Sequence, residues 1–164
     1  MGPCDRGRME TLMASPPLAD LSRRDMLGIA ARANRCELEN PIRDAWPDLA
    51  VVDVRPAESG LVMLRGRIGG DGAPFNLGEA SLSRAAVALP TGEIGHGHVL
   101  GRDRALARLV AIADALWQRP GDRARLERDV LTPIRQRIEA ERAAEQAKTA
   151  ATRVDFFTLV RGED

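Results

Sequence analysis

The clearest pattern of apolar and polar positions in the chain begins at Asp103. From there apolar residues recur every three or four positions, which predicts an amphipathic helix with one buried stripe: Leu106, Leu109, Val110, Ala113, Leu116 and Trp117. Pro120-Gly121-Asp122 ends this helix, and Asp122 is the expected N-cap of the next one. Thr132-Pro133 then opens a helix to Thr149 that is expected to be long and exposed, because it has few large apolar residues.

Helical spacing also appears near the N-terminus. It predicts one helix from Asp20 through Ala33 and a second, shorter one from Glu37 to Ala45. Pro41 and Pro47 are expected to limit the second helix, because proline lacks an amide donor and blocks the preceding turn. Residues 1–15 have no sustained periodicity and are expected to form a disordered arm outside the domain.

The middle of the chain has short runs of β-favouring residues instead. They predict four strands near residues 50–56, 60–68, 75–89 and 93–100, with a turn at residues 55–60 and a hairpin at Gly69-Gly70-Asp71-Gly72. Sequential strands of this kind favour an antiparallel sheet packed against the helix from Asp103. The expected fold is therefore one α+β domain over residues 16–164, with about four strands, several helices, a long C-terminal helix and an apolar C-terminal tail.

Composition narrows the possible functions. The chain has 24 cationic and 24 anionic side chains and no net charge, which removes the basic field that a general nucleic-acid binder needs. Aromatic residues make up only 3%, so the core is expected to be aliphatic. Two cysteines are too few for a disulfide scaffold and are interpreted as free thiols. With no apolar stretch long enough to span a bilayer, the expected location is the cytoplasm, without a membrane partner.

Two short segments carry candidate chemistry. His96 and His98 are the only histidines, and in a strand their spacing places both rings on one face, as two metal ligands require. The pair makes a small metal-dependent hydrolase the alternative hypothesis. No metal site is predicted, because a third ligand is not evident. Gly101-Arg102-Asp103-Arg104 puts two guanidinium groups at a helix start, which favours Arg102 and Arg104 as ligands of a phosphate. The alternative is a structural role without a phosphate, in which Asp103 caps the helix and Arg104 faces solvent.

The C-terminal segment holds two of the three phenylalanines and follows a polar helix. An apolar segment of this kind is expected to dock, either on the chain's own core or on a partner. A partner interface is the preferred hypothesis, because aromatic residues and arginine are frequent in binding hot spots. Its predicted members are Arg153, Asp155, Phe156, Phe157, Leu159, Val160 and Arg161.

Several segments, in order and at characteristic spacing, resemble the G subunit of the bacterial carbon-phosphorus lyase complex. They are Ala57 to Leu61, Arg67 to Gly72 with Phe75 and Gly78, Ser83-Arg84-Ala85, Gly101-Arg102-Asp103, and the terminal stretch from Arg153 to Gly162. The resemblance extends from about Leu18 to Gly162. It departs where that family tends to have aromatic residues and this chain has His96 and His98.

The resemblance implies a role in phosphonate catabolism as one subunit of a larger enzyme. Together with the H, I and L subunits, such a chain takes part in forming α-D-ribose 1-methylphosphonate 5-triphosphate from ATP and methylphosphonate, with release of adenine. The J subunit, an iron-sulfur radical enzyme, then acts in the same assembly. ATP is here a substrate of the complex, and no cofactor is expected on this chain. No catalytic motif is recognisable, so it is not expected to act as an enzyme alone.

Overall fold

The structure is a computed structural model, and it describes residues 21–67 and 72–152. Two short helices open this part of the chain. Helix α1 spans Arg23–Ala30 and begins at Ser22, whose hydroxyl accepts a hydrogen bond from the Asp25 amide. Helix α2 spans Arg35–Ala45 and begins with a reciprocal capping box between Asn34 and Glu37.

Pro41 lies inside α2, so the expectation that it limits this helix is wrong. Its missing amide removes one hydrogen bond from the helix. Leu38 and Ile42, on either side of it, are buried in the core. Their burial stabilises the helix and offsets the lost bond.

Three antiparallel strands form the sheet: β1 spans Val52–Gly66, β2 spans Phe75–Ala88 and β3 spans Ile94–Leu100. Their spatial order is β1-β2-β3, which confirms the predicted antiparallel sheet and α+β class. The first two predicted strands are one continuous strand, and the predicted turn at residues 55–60 is not formed. Register shifts on both sides of Arg55 accommodate Pro56 within β1.

The predicted hairpin connects β1 to β2. These strands pair up to Gly66 opposite Phe75. Most of its expected turn, residues 69–71 of 69–72, lies outside the described residues.

Helix α3 spans Arg104–Trp117, as predicted, and packs on β2 and β3. The approach to β3 is so close that a Cβ atom at Gly95 or Gly97 would lie 1.9 Å from the carbonyl oxygen of Ala111 or Ala107, respectively. The glycines thus let the backbone of the helix lie directly on the strand. His96, which lies between the two glycines, is exposed on the opposite face of the sheet.

The last helices form one continuous segment. Helix α4 spans Pro120–Leu126, a π-helical turn follows over Glu127–Leu131, and α5 spans Thr132–Ala151. Thr132 does not begin a separate helix, since both its amide and its hydroxyl donate to the carbonyl of Glu127. The π turn carries the chain past Pro133, which cannot donate to a regular helix. Residues 139–151 of α5 are exposed, as predicted for a long polar helix.

Two further expectations about side chains are wrong. Arg119, and not Asp122, is the N-cap of α4, because Pro120 already occupies its first turn. The Asp122 carboxylate instead accepts a hydrogen bond from the Trp46 indole at 2.8 Å. Cys36 is disulfide-bonded, so it is not a free thiol.

The core lies between the sheet and the helices and is aliphatic, as predicted. Its largest fully buried side chains are Met26, Leu38, Leu116, Leu126, Leu131 and Ile134. Among the described helices, none has the length and apolar character that crossing a membrane requires.

Candidate functional site

The junction between β3 and α3 brings together three segments that the sequence singled out. The Ser59 hydroxyl of β1 lies 2.9 Å from the Ser83 hydroxyl of β2, and Ser83 donates to the Gly101 carbonyl at 3.0 Å. Since the Ser83 hydroxyl already donates its hydrogen bond to the Gly101 carbonyl, the Ser59 hydroxyl is the donor between the two serines. The Gly101 amide donates to the Ser81 carbonyl, and its φ of 101° is one that glycine adopts readily. This network fixes the path of the chain into α3.

Asp103 caps α3 at this junction. Its carboxylate accepts from the Leu106 amide at 2.9 Å and from the Arg35 guanidinium at 2.9 Å. The hydrogen bond from the Leu106 amide, and then the bond from Arg35, lower the pKa of Asp103, although partial burial opposes the shift. The amide that a bound phosphate would need at this position is therefore already taken by the protein's own carboxylate.

Arg102 and Arg104 flank Asp103, and both are exposed. Within the described residues, neither guanidinium has a hydrogen bond or an ion pair. Two cationic groups are thus available beside the capped helix start. Their role in binding a phosphate stays a prediction, and it rests on the guanidinium groups and not on free helix amides.

The outer face of the sheet carries His96 and His98. Both are exposed and alternate with buried Gly95, Gly97 and Val99, as the spacing predicted. His98 lies opposite Arg84, whose guanidinium donates to Glu58 at 2.8 Å. No group of three or more possible metal ligands occurs in the described part of the chain. Apart from the shared face, nothing in this geometry favours a metal centre.

An ion pair between a buried carboxylate and a half-exposed guanidinium fixes β3 from its other side. Asp114 of α3 is fully buried and accepts two hydrogen bonds from Arg23, each at 2.7 Å. The same carboxylate accepts from the backbone amide of His96 at 2.8 Å. Bonding to Asp114 raises the pKa of Arg23, which keeps the guanidinium charged. The group therefore joins α1, α3 and β3.

Sequence reasoning missed Asp114, which is not among the residues predicted for the buried stripe of α3. A usable signal was present. Asp114 lies four residues after Val110 and three before Trp117, both of them stripe positions. A carboxylate at that spacing is buried and needs a charged partner.

The predicted interface residues of the C-terminal segment, Arg153 to Arg161, lie outside the described residues. The last described turn, up to Thr152, ends the exposed half of α5. Their interface role stays a prediction.

Comparison with known proteins gives two findings. Residues 21–162 match the model of a family described as "Phosphonate metabolism protein PhnG". The chain is also similar to a curated protein of Rhizobium meliloti (strain 1021), named "Alpha-D-ribose 1-methylphosphonate 5-triphosphate synthase subunit PhnG". The two are 48% identical over 160 residues, which cover 95% of this chain and 99% of the relative.

Proposed function

Because the chain belongs to the PhnG family of phosphonate metabolism proteins, we propose that it is a non-autonomous subunit of an α-D-ribose 1-methylphosphonate 5-triphosphate synthase. One observation carries the proposal: nearly full-length similarity to a named subunit of that enzyme, at 48% identity. The family match favours this function over the metal-dependent hydrolase.

The reaction proposed for the assembled enzyme transfers methylphosphonate to the ribose of ATP and releases adenine. ATP acts as a substrate, and the chain itself is proposed to carry no cofactor. Its partners in this proposal are the H, I and L subunits, with the J subunit in the same core complex in the cytoplasm. Neither a nucleic acid nor a membrane has a part in it.

The described residues support a contributing role better than an autonomous one. The hydroxyls of Ser59 and Ser83 are used in holding the Gly101 turn, and Asp103 is used in capping α3. By contrast, Arg102 and Arg104 are exposed and have no partner among the described residues. We assign them to an anion site that partner subunits complete, where they would bind the phosphate groups of the nucleotide.

The subunit role is tested by purifying the chain alone and together with the other subunits. Adenine release and phosphonate transfer are then measured with ATP and methylphosphonate. Both activities are expected only in the assembled complex. Transfer by the isolated chain would contradict the proposal, as would full activity of a complex that lacks it.

The anion site is tested with Arg102→Ala in the complex. Losing a charge-assisted contact to phosphate is expected to lower kcat/KM about tenfold or more, with assembly unchanged. Arg24→Ala is the matched control, since Arg24 is an exposed arginine of α1, outside the proposed site. Unchanged assembly and unchanged transfer in the Arg102 variant would remove the assignment.

A further inference from the structure

The β1–β2 hairpin extends past the rest of the sheet. Strand β3 ends at Leu100, opposite Leu82, so the part of the hairpin beyond it has no third strand. We call this part the distal arm, residues 61–66 of β1 and 75–81 of β2, which pair with each other. An isolated two-stranded hairpin is only marginally stable in water, so such an arm needs support from elsewhere.

The distal arm exposes an unusual amount of apolar surface. Its large apolar side chains are all at least 39% exposed, apart from half-buried Val62: Leu61, Met63, Leu64, Phe75 and Leu77. Exposed apolar residues scattered singly are ordinary, but a contiguous group marks an interaction surface. The polar residues paired in the same arm are Arg65, Asn76, Glu79 and Ser81.

The two outer edges of the sheet differ in how they are protected. On β3, the free amide of His96 donates to Asp114, and the free carbonyl of Ile94 accepts from the Gln118 side chain at 2.8 Å. Helix α3 and its C-cap residue Gln118 thus occupy that edge at Ile94 and His96. In β1, Pro56 and the register shifts around Arg55 interrupt the edge before Ser59.

From Ser59 to Leu64 the register of β1 is uninterrupted. No strand of the described chain pairs with its outer edge. A regular, apolar edge of this kind is a template for another strand.

We propose that the distal arm is a docking site for another subunit of the synthase. That subunit would place an extended segment along the free edge of β1 and an apolar groove around the arm. This inference rests on the proposed function, which supplies the need for a partner subunit.

A second copy of this chain fits less well. Edge pairing of residues 61–66 would join strands of about 20 Å, at roughly 3.3 Å per residue. That contact buries far less than the roughly 1,000 Å² that a specific interface needs. A groove that encloses both faces of the arm as well as its edge covers much more surface.

The first test compares two charged substitutions in the full chain co-expressed with tagged partner subunits. Leu61→Glu is placed in the arm, and Val52→Glu, at the other end of β1, is its matched control, because the two side chains are 63% and 64% exposed. The arm variant is expected to co-purify with its partners at least about tenfold less, because a desolvated apolar anchor is lost. The control is expected to co-purify like the wild type, because its position lies outside the distal arm.

A second measurement needs no variant. Hydrogen exchange of the amides of residues 61–66 is expected to slow at least about tenfold when the wild-type chain enters the complex, since a paired edge protects them. Exchange in residues 110–117 of α3, which are buried within the chain itself, serves as an internal reference within the same sample.

Three results would overturn the inference. One is unchanged exchange at residues 61–66 on assembly together with normal co-purification of Leu61→Glu. Another is dimerisation of the isolated chain that Leu61→Glu abolishes, which would identify a second copy as the occupant. The third is faster exchange at residues 61–66 after deletion of residues 153–164, which would identify the chain's own C-terminal segment. Absence of the wild-type chain from the purified assembly would instead defeat the proposed function.

Discussion

At the residue scale, two carboxylates with different surroundings hold the region around α3. Asp114 is fully buried and needs its guanidinium partner, whereas Asp103 is half-exposed and binds a helix amide. The first ties the helix to α1 and β3, and the second fixes where the helix begins. Both act on the elements that present Arg102 and His96, so each has a measurable effect on stability.

Removing Arg23, the partner of Asp114, should destabilise the folded chain. Arg23→Ala is expected to lower the free energy of unfolding by about 1–3 kcal/mol, because it leaves the fully buried Asp114 carboxylate without its countercharge, while solvent partly screens the half-exposed guanidinium. Arg128→Ala is the control, since its pair with Asp129 is largely exposed and such pairs contribute about 0–1 kcal/mol. Urea unfolding of both variants measures the difference. Equal losses would mean that Asp114 does not depend on Arg23.

The cap at Asp103 gives a dependence on pH. The pKa of Asp103 is lowered in the folded state, so its stabilisation is present above the unfolded pKa, about 3.9, and is lost as pH falls through the folded value. Asp103→Ala is expected to cost about 1 kcal/mol at neutral pH and progressively less in acid. Unfolding curves at a series of pH values check this. Asp44→Ala, at an exposed ion pair, should change stability by about 0.5 kcal/mol or less, and a constant Asp103 deficit at every pH would contradict the argument.

At the scale of elements, the contact between α3 and β3 depends on glycine. Gly97→Ala is expected to destabilise the protein by about 1–3 kcal/mol or more, because the new methyl group would meet the backbone of Ala107 and force α3 away from the strand. Gly28→Ala, in helix α1 with nothing within 4 Å of the new Cβ, is expected to stabilise by about 0.5–1 kcal/mol. Thermal unfolding of the two variants should shift in opposite directions. A shift in the same direction would show that α3 can move away from β3 without a loss of stability.

The periodicity of the sequence predicted elements well where one face is buried. The apolar residues of α3 recur with a helical period and β3 alternates strictly, so both were found within a residue or so of their bounds. The burial of α3 goes beyond the one predicted stripe, because every residue from Val110 to Trp117 is buried. The pattern failed where long-range contacts outweigh local signals. Pro56 looks like part of a turn, but pairing with β2 on both sides keeps it in β1. Likewise, the bond from Thr132 back to Glu127 creates a π turn that no local pattern indicates.

The candidate site was predictable only in part. The glycine turn and the two arginines at the start of α3 follow from residue type and position. The hydrogen bonds between Ser59, Ser83 and Gly101 do not, since they join residues 18 and 24 positions apart. The apolar distal arm was also not foreseen, because its residues read as an ordinary strand. Whether a strand is covered depends on what packs against it and not on its own sequence.

At the scale of the whole molecule, the chain has a compactly packed half and two parts that extend from it. The core is closed by α1 to α4 and the sheet, and the last core residue of α5 is Ile138, which is 8% exposed. Beyond it, residues 139–151 continue as an exposed helix, while the distal arm extends from the sheet. Such extensions add little to the core of the chain itself and are suited to contacts with other subunits.

The C-terminal segment provides a test at this scale. It follows the exposed half of α5, and it concentrates Phe156, Phe157, Leu159 and Val160 in a short stretch. Burying a large apolar side chain contributes roughly 1.5–3 kcal/mol, so docking two phenylalanines on a partner can offset the cost of ordering the segment. Deletion of residues 152–164 is therefore expected to leave the melting temperature of the isolated chain unchanged and to abolish co-purification with the other subunits.

A matched variant separates apolar anchoring from charge. Phe156→Ser with Phe157→Ser keeps the length and the charges of the segment, including Arg153, Asp155 and Arg161. If the phenylalanines are the anchors, this variant should fail to assemble as the deletion does, because truncated aromatic hot spots cost 2 kcal/mol or more, roughly thirtyfold in affinity. A lower melting temperature of the isolated chain would instead mean that the segment covers the chain's own core. Normal assembly with normal melting would show that it does neither.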